Sequence, residues 1–361
     1  MDPLNSLSMI SIDQQDEWSS VVQRSFQYDF YHLPGYHVLD DTEGEPLLLV
    51  YEEGDDFIAL PLILRPVVQV PGLADLSEDW WDATSVYGYP GPIASREDVP
   101  PALVDRFQEA IKAALVERRV VTLFSRLHPI ISQSSLVWGA GVYRIEGPTV
   151  SIDLTLPLEE QSLGYRKGHR YDLKRLMASD VACFEAEVGE YLDAFVEIYY
   201  ETMRRVNADD FYFFSRDYFE QLLSLPELGM HLFICTHDGR PVCGGLFSLC
   251  SNIVQYHLSG TVAEARPLAP VKLMLDTVRR WASQQGASVF HLGGGVNASR
   301  DSLFRFKAGF SKRYHDFATW RWVLRPDVYQ SLTSRKLRWS EARGYTGFDS
   351  QYFPRYRQRV A

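Results

Sequence analysis

Two adjacent residues, Tyr256 and His257, carry side chains that can take part in proton transfer. They lie in the run Ile253–Thr261, whose β-branched and aromatic residues predict a strand. The unperturbed pKa of an imidazole is close to neutrality, so His257 can accept a proton from an amine. Because successive side chains of a strand point to opposite faces, only one of the two is expected to face a cleft. A core histidine with a satisfied ring is the competing interpretation of His257.

A second set of polar residues begins where the next predicted strand ends, at His291. Three glycines follow within a few residues, and glycine either lets a ligand approach the backbone or simply turns the chain. Further on, Arg300 and Lys307 can neutralise a diphosphate. Lys307 lies between Phe306 and Phe310, an apolar setting that disfavours a merely solvated lysine. The residues of this stretch that we expect to bind substrate are His291, Gly293, Gly294, Asn297 and Arg300.

A basic segment, residues 165–175, holds five bases and one acid. Such a segment either grips phosphate groups or forms an ordinary solvated helix face. We favour phosphate binding for Arg170 and the solvated face for Lys174 and Arg175. The tyrosines at the start and middle of the segment, Tyr165 and Tyr171, are available to stack on a base.

The first half of the chain offers a smaller set of candidates. Tyr87 and Tyr89 flank a glycine and lead into Pro-Gly-Pro at 90–92. This rigid aromatic loop suits a sugar or a nucleobase, or else packs its tyrosines on the core. Arg126 ends a predicted strand and is a further candidate for substrate binding, with a local salt bridge as the competing interpretation.

The composition describes a globular chain of two domains. The 361 residues are 46% hydrophobic and 23% charged, and this length exceeds the usual size of a single core. The net charge of -11 argues against non-specific binding to nucleic acid or anionic membranes. The charge is unevenly divided, with 23 acids and 9 bases in residues 1–150 but 24 acids and 27 bases in residues 151–361. No signal peptide, membrane span or C-x-x-C pair is visible, so we expect a cytoplasmic protein without a metal site.

The predicted elements of the second half alternate in the order β-α-α-β-β-β-α-β-α-β. Two of the strands form a hairpin through the turn at 237–240, and one long helix is expected from Pro157 to about Ala178. This order predicts an α/β (α+β) fold with mixed, largely antiparallel sheets. We place the domains at 1–149 and 150–330, followed by a basic helical extension at 331–361.

Several strings carry a resemblance to a known family. They are Tyr-His-Leu-Ser-Gly-Thr at 256–261, His-Leu-Gly-Gly-Gly at 291–295, Phe-Lys-Ala-Gly-Phe at 306–310, Tyr-Gly-Tyr-Pro-Gly-Pro at 87–92 and Phe-Ser-Arg-Leu-His-Pro at 124–129. With the element order, they resemble the Fem-like branch of the GCN5-related N-acetyltransferase (GNAT) superfamily. The resemblance covers about residues 20–330 and implies two tandem GNAT-like domains.

The resemblance implies acyl transfer to an amine between two splayed strands of the second domain. It assigns the catalytic positions to His257, Tyr256 and Lys307. In GNAT proteins a glycine-rich loop before the next helix holds the pyrophosphate of CoA. The corresponding residues 262–272 lack glycine, and Arg266 and Lys272 remain as possible phosphate contacts or as ordinary solvated bases.

The resemblance leaves three functions open. The first is transfer of an acyl group from an acyl-CoA-type thioester to the amine of a sugar-linked precursor in envelope or polysaccharide synthesis. The alternative is an aminoacyl-tRNA-dependent transferase that forms a peptide bond on a peptidoglycan or antibiotic precursor. The third is a non-catalytic binding protein that retains the fold. In the first two, the partners are a small-molecule acyl donor or tRNA and a phosphate-carrying amine acceptor, and the protein is a monomer or homodimer.

Overall fold

A computed structural model describes residues 6–40 and 44–359. The chain folds into two compact units. Unit 1 comprises Met1–Glu146 and Phe317–Ala361, and unit 2 comprises Gly147–Asp316. The first boundary lies close to the predicted one at 149/150. At the other end, residues 317–330 lie in unit 1 and not in the second domain to which we assigned them. Within the described residues, no helix is long and apolar enough to span a membrane.

The strands are β1 Leu7–Ser11, β2 Glu45–Glu53, β3 Asp56–Pro66, β4 Trp81–Thr84, β5 Ile93–Ala94, β6 Val120–Arg126, β7 Val142–Asp153, β8 Val181–Glu185, β9 Met230–His237, β10 Arg240–Cys250, β11 Ile253–Thr261, β12 Val289–Gly293 and β13 Arg313–Val323. The helices are α1 Gln15–Gln23, α2 Pro34–Val38, α3 Pro101–Glu117, α4 Ser134–Val137, α5 Leu158–Leu163, α6 Lys167–Met177, α7 Val188–Arg205, α8 Arg216–Ser224, α9 Val271–Gln284, α10 Ser302–Lys307 and α11 Pro326–Glu341.

Unit 1 contains the strands in the order β1-β2-β3-β4-β6-β13, with the short β5 beside β3. All neighbours are antiparallel except β4 and β6. The amphipathic helix α3 buries Phe107 and Ile111 in the core of this unit, beside Trp320 of β13. Pro61 of β3 pairs with Leu48 of β2, and on the other edge of β3 it lies between the stretches that pair with β5 and β4.

Unit 2 contains the strands in the order β7-β12-β11-β10-β9-β8. Only β11 and β12 are parallel, so the prediction of a mixed, largely antiparallel sheet is confirmed. Consecutive glycines of β10 show how the helices are divided between its faces. A side chain on Gly244 would meet Phe195 of α7, whereas one on Gly245 would meet Met274 of α9. Helices α7 and α9 therefore cover opposite faces.

The helix predicted from Pro157 to about Ala178 is in fact two helices, α5 and α6, separated at residues 164–166. Arg166 is extended, and its N–H bonds to the carbonyl of Gly309 instead of continuing a helix. Next to it, the buried hydroxyl of Tyr165 donates to Asp276 of α9 (2.9 Å). Contacts with distant parts of the chain therefore outweigh the local helix propensity of this segment, and they leave Tyr165 unable to stack on a base.

Candidate active site

Strands β11 and β12 are neighbours only over their first residues. They pair at three positions, the last of which is Gln255 opposite His291. Beyond that pair β11 runs on to Thr261, whereas the pairing of β12 with β7 shifts register after His291. Among the described residues, no strand pairs with β11 on this side past Gln255. The two strands therefore form a fork, and this opening is the candidate site.

His291 joins the two strands at the base of the fork. It is fully buried, and its Nδ1 lies 2.6 Å from Oε1 of the buried Gln255. The two buried polar side chains are thereby hydrogen-bonding partners. His291 is buried with this internal partner, and its predicted role in binding substrate stays a prediction.

A β-bulge alters β11 at the opening. The register against β10 shifts between the pairs Leu246–Leu258 and Phe247–Tyr256, so His257 is an additional residue in β11. As a result the hydroxyls of Tyr256 and Ser259 lie on one face and form a hydrogen bond, although the residues are three apart. Strict alternation of side chains, on which the prediction for Tyr256 and His257 relied, does not hold here.

Tyr256 is positioned as a hydrogen-bonding group and not as a base. Its ring stacks on Phe247 at 5.3 Å between centroids. Burial raises the pKa of the Tyr256 hydroxyl above its ordinary value, so the hydroxyl stays protonated at neutral pH.

Lys307 reaches the same face of the fork from the end of α10. Its side chain is buried, and Nζ donates a hydrogen bond to the carbonyl of Gly294 at 2.8 Å. The ammonium also lies 5.5 Å from the centroid of the Tyr256 ring. Burial lowers the pKa of Lys307 to about 8, against the opposing effect of Asp301. A cation with a pKa near neutrality can donate hydrogen bonds to developing negative charge and can exchange protons.

The turn after β12 leaves room for this cation. Gly293 has a φ of +76°, and a Cβ at that position would lie 3.1 Å from Nζ of Lys307. Asp301 ties the turn to α10, because its carboxylate accepts hydrogen bonds from the N–H groups of Val296 and Phe304. The carboxylate thus caps the helix that carries Lys307 and holds the glycine turn against it.

His257 does not match the predicted role of general base well. Burial lowers its pKa to about 4, so the imidazole is neutral and only weakly basic at neutral pH. Base catalysis is most effective when the pKa lies near the working pH. Lys307 meets that condition and His257 does not.

Comparison with known proteins identifies the domain that contains this fork. Residues 142–308 match the acetyltransferase (GNAT) domain family. Unit 2 is a GNAT domain. No curated protein matches the chain.

Solved structures resemble the chain over most of its length. FemX has 13% identity and a TM-score of 0.67, over 90% of this chain and 99% of that one. The C-terminal domain of a putative lysylphosphatidylglycerol synthetase from Agrobacterium fabrum has 16% identity and a TM-score of 0.54, over 86% and 92%. L-PGS from Bacillus licheniformis has 14% identity and a TM-score of 0.52, over 84% and 90%. The predicted Fem-like, tandem GNAT architecture is confirmed as a fold. The match of residues 142–308 to the acetyltransferase domain family supports an acyltransferase enzyme.

The segment before α9 of the GNAT domain does not fit a pyrophosphate cradle. Two of its residues, Pro267 and Pro270, have no N–H to offer. The N–H of Ala263 donates to the carboxylate of Glu201 at 2.7 Å, where a phosphate would need it. Of the two predicted phosphate contacts, Lys272 is buried in an ion pair with Asp172, while Arg266 is exposed. The expected acyl-CoA remains a prediction that this segment does not support.

Three other predicted contacts of the GNAT domain are exposed. Asn297 has a φ of +49° just beyond the glycine turn. Arg300 follows it, with its guanidinium 5.3 Å from the ring of Phe304. Arg170 lies on α6 and donates to the carbonyl of Leu163 at 3.0 Å. All three can reach a ligand that lies outside the fork, and their predicted role in substrate binding stays a prediction.

The predicted contacts of unit 1 lie on a packed polar and aromatic cluster. Tyr89 meets Tyr31 and His128 edge-on, at 5.6 and 5.9 Å between centroids. A Cβ on Gly88 would come within 2.1 Å of the Tyr31 ring, so the loop packs directly against that ring. His128 in turn contacts Asp29 at 2.9 Å, with both side chains buried. This packing supports the structural interpretation of the aromatic loop.

Two other members of the unit 1 set, Tyr87 and Arg126, are partly exposed. Tyr87 is only half-buried. Arg126 is half-buried as well, and its guanidinium lies 5.3 Å from the ring of Phe124 on the same strand. Their predicted contact with substrate stays a prediction.

Sequence reasoning missed Ser259 and Gln255 as members of the site. Ser259 joins Tyr256 only because of the bulge, which has no clear sequence signal. Gln255 is a polar residue in an otherwise apolar stretch of strand, and that contrast is a signal that indicates a buried partner.

Proposed function

We propose that the GNAT domain transfers an acyl group to an amine at the fork between β11 and β12, with Lys307 stabilising the tetrahedral intermediate. The observation that carries the proposal is the buried ammonium of Lys307, held by Gly294 and Tyr256 at the opening. A fixed cation in a site of low polarity is well suited to a developing oxyanion.

In the proposed reaction the amine nitrogen attacks the acyl carbonyl and a C–N bond forms. The carbonyl oxygen becomes negative and accepts a hydrogen bond from Lys307, while the face of the Tyr256 ring stabilises the cation. The bond from the acyl carbon to the leaving oxygen or sulfur then breaks. The proton lost by the amine ends on the leaving group, so charge balances without a further reactant.

The segment before α9 favours an ester donor over a thioester of CoA. Proline and the Glu201 carboxylate occupy positions where a pyrophosphate would need N–H donors. An aminoacyl-tRNA presents its acyl group as a ribose ester and makes no demand on that segment. We therefore place the aminoacyl-tRNA-dependent reaction first, with a phosphate-carrying envelope precursor as acceptor and Arg300 as its anion contact.

The second candidate is the acyl-CoA reaction on a sugar-linked amine that we expected from the sequence. The observation that favours it is the family match itself, since the matched domain is described as an acetyltransferase. In this reaction the hydrogen bond from the N–H of Ala263 to the Glu201 carboxylate has to break before acyl-CoA binds.

One assay separates the two donors. The full chain is incubated with UDP-linked amino sugars or a UDP-linked muramoyl pentapeptide, and with either radiolabelled aminoacyl-tRNA or an acyl-CoA panel. We expect label to move from tRNA to the acceptor, no release of free thiol, and loss of transfer in Lys307→Met. Thiol release that depends on acceptor and on Lys307 would establish the second candidate. Absence of transfer from both donors would overturn the proposal.

A further inference from the structure

The exposed side of α6 is an unusually uniform basic surface. Four bases point outward around one tyrosine: Lys167, Arg170, Lys174 and Arg175, with Tyr171 among them. Tyr171 is 68% exposed. The opposite side of the helix packs His169, Leu173 and Leu176 into the core. We call this outward set the α6 basic face.

The bases of the α6 basic face make few contacts within the protein. Within the described residues, Lys167 and Lys174 make no hydrogen bond or ion pair. Arg170 and Arg175 each donate to a single backbone carbonyl, which leaves further N–H groups for a ligand. The one acid of the helix, Asp172, is neutralised by the buried Lys272.

The basic residues of α11 and of the turn that follows it provide a contrast in unit 1. Arg335 pairs with Asp75, Lys336 donates to the carbonyl of Pro71, and Arg343 covers the ring of Trp339. These bases make intramolecular contacts, although the sequence alone predicts a polyanion-binding surface there as readily as it does for α6. Only Arg338 of that helix is an exposed base.

The α6 basic face is linked to the fork through its own packing. His169 bonds to the carbonyl of Phe306, the residue before Lys307, at 3.0 Å. Arg175 bonds to the carbonyl of Pro267 in the segment that follows β11 at 3.3 Å. A ligand lying along α6 therefore lies on a helix that contacts α10, which carries Lys307, and the segment that follows β11.

We propose that the α6 basic face binds the RNA portion of the acyl donor, an inference that rests on the proposed function. Lys167, Lys174 and Arg175 are four, three and four residues from Tyr171, so they surround its ring on one helical face. An exposed ring for a base and flanking cations for phosphates are the components of a single-stranded RNA site. They suit the unpaired end of a tRNA that carries the acyl group.

An anionic membrane is the main competing partner for such a surface. Stable docking of a helix on lipid requires a continuous apolar face beside the bases. The leucines of α6 point into the core, and Met177, the last residue of the helix, is its one exposed apolar side chain besides Tyr171, so α6 has no continuous apolar face. The observations therefore favour RNA over lipid.

The test compares two double variants that remove the same charge. Lys167→Ala/Lys174→Ala alters the α6 basic face, and Lys112→Ala/Arg338→Ala removes two exposed bases of unit 1. We expect the α6 variant to raise KM for aminoacyl-tRNA about tenfold and to lower the salt slope of tRNA binding by about two, as two lost phosphate contacts require. The control should stay within about twofold of the parent protein, and Tyr171→Ala should weaken binding at every salt concentration.

The outcomes separate this inference from the proposed function. Normal turnover of aminoacyl-tRNA by the α6 variant would overturn the role of α6 and leave the proposed function standing. Absence of turnover with every aminoacyl-tRNA in the parent protein would overturn the aminoacyl-tRNA-dependent reaction on which this inference rests. If the control variant loses as much affinity for tRNA as the α6 variant, the effect is one of net charge alone. If the α6 basic face binds phosphatidylglycerol vesicles and not tRNA, the surface is a lipid-binding one. Either result would contradict the inference.

Discussion

Lys307 is the side chain on which the proposed reaction at the fork mainly depends. A lysine in water is a permanent cation at neutral pH, whereas burial brings the pKa of this one to about 8. The ammonium nevertheless keeps a hydrogen-bond acceptor, Gly294, and an aromatic face, Tyr256. These contacts fix its direction before any substrate arrives, which is what stabilisation of an oxyanion requires.

The lowered pKa of Lys307 predicts a descending limb in the pH profile. The protonated form donates to the oxyanion, so kcat/KM should fall as pH rises through about 8, the pKa of Lys307 in the free protein. In Lys307→Arg the guanidinium stays protonated, and the limb should disappear. Its different shape should lower kcat about tenfold at neutral pH. Measuring kcat/KM against pH for both proteins checks this, and an unchanged limb in the arginine variant would assign the titration to another group.

Lys307→Met is the stability control for that experiment. The pKa of Lys307 is about 8 in the folded protein and 10.5 in its ordinary state, so the unfolded chain holds the proton more tightly. The resulting destabilisation is complete below pH 8 and fades as pH rises towards 10.5. At about 1.4 kcal/mol per pKa unit, less about 1 kcal/mol for the lost hydrogen bond, the variant should gain roughly 2 kcal/mol at neutral pH. Thermal melts at neutral and alkaline pH test it, and a less stable variant at neutral pH would contradict the electrostatic argument.

At the scale of elements, the sequence identified most of unit 2 and missed the features that make its site. The hairpin turn at 237–240, strand β11 and helix α9 all follow from local patterns that tertiary contacts reinforce. The break at 164–166 and the bulge at His257 do not, because each is determined by contacts with distant residues. The fork itself depends on where pairing between β11 and β12 stops, and no single strand contains that information.

The candidate residues also divide into those with a local sequence signal and those whose role depends on a distant partner. Lys307 stood out from the sequence because an apolar setting for a lysine is a local signal. The roles of His291 and Lys272 were not visible, because each depends on a partner from another element, Gln255 and Asp172 respectively.

The glycine turn after β12 is the element that can be tested most sharply. Gly293→Ala and Gly286→Ala both place a side chain at a positive φ, of +76° and +78°, so both should lose about 1 kcal/mol of stability. Only at Gly293 would the new Cβ approach Nζ of Lys307, at 3.1 Å, whereas the space around Gly286 is open. We expect kcat to fall about tenfold or more in Gly293→Ala and to stay within about twofold in Gly286→Ala. Similar activity in the two variants would mean that the turn does not position Lys307.

At the scale of the whole molecule, the two units differ in the number of chain segments that form them. Unit 2 is one continuous stretch, whereas unit 1 needs residues from both ends of the chain. The C-terminal segment, predicted as a basic extension, is an integral part of unit 1. Tyr356 is fully buried in an apolar cluster with Val67 and Val121, and Arg357 pairs with the buried Asp82.

The C-terminal segment is therefore expected to stabilise unit 1 alone. A chain shortened after Gly344 lacks both Tyr356 and Arg357, so it leaves an apolar cavity and deprives the Asp82 carboxylate of one of its two arginine partners. The combined cost should exceed about 3 kcal/mol. Hydrogen exchange should lose protection in β3, β4 and β6 and keep it in β10 and β11, while a chain shortened after Gln358 should match the parent protein. Equal loss of protection in both units would show instead that they unfold together.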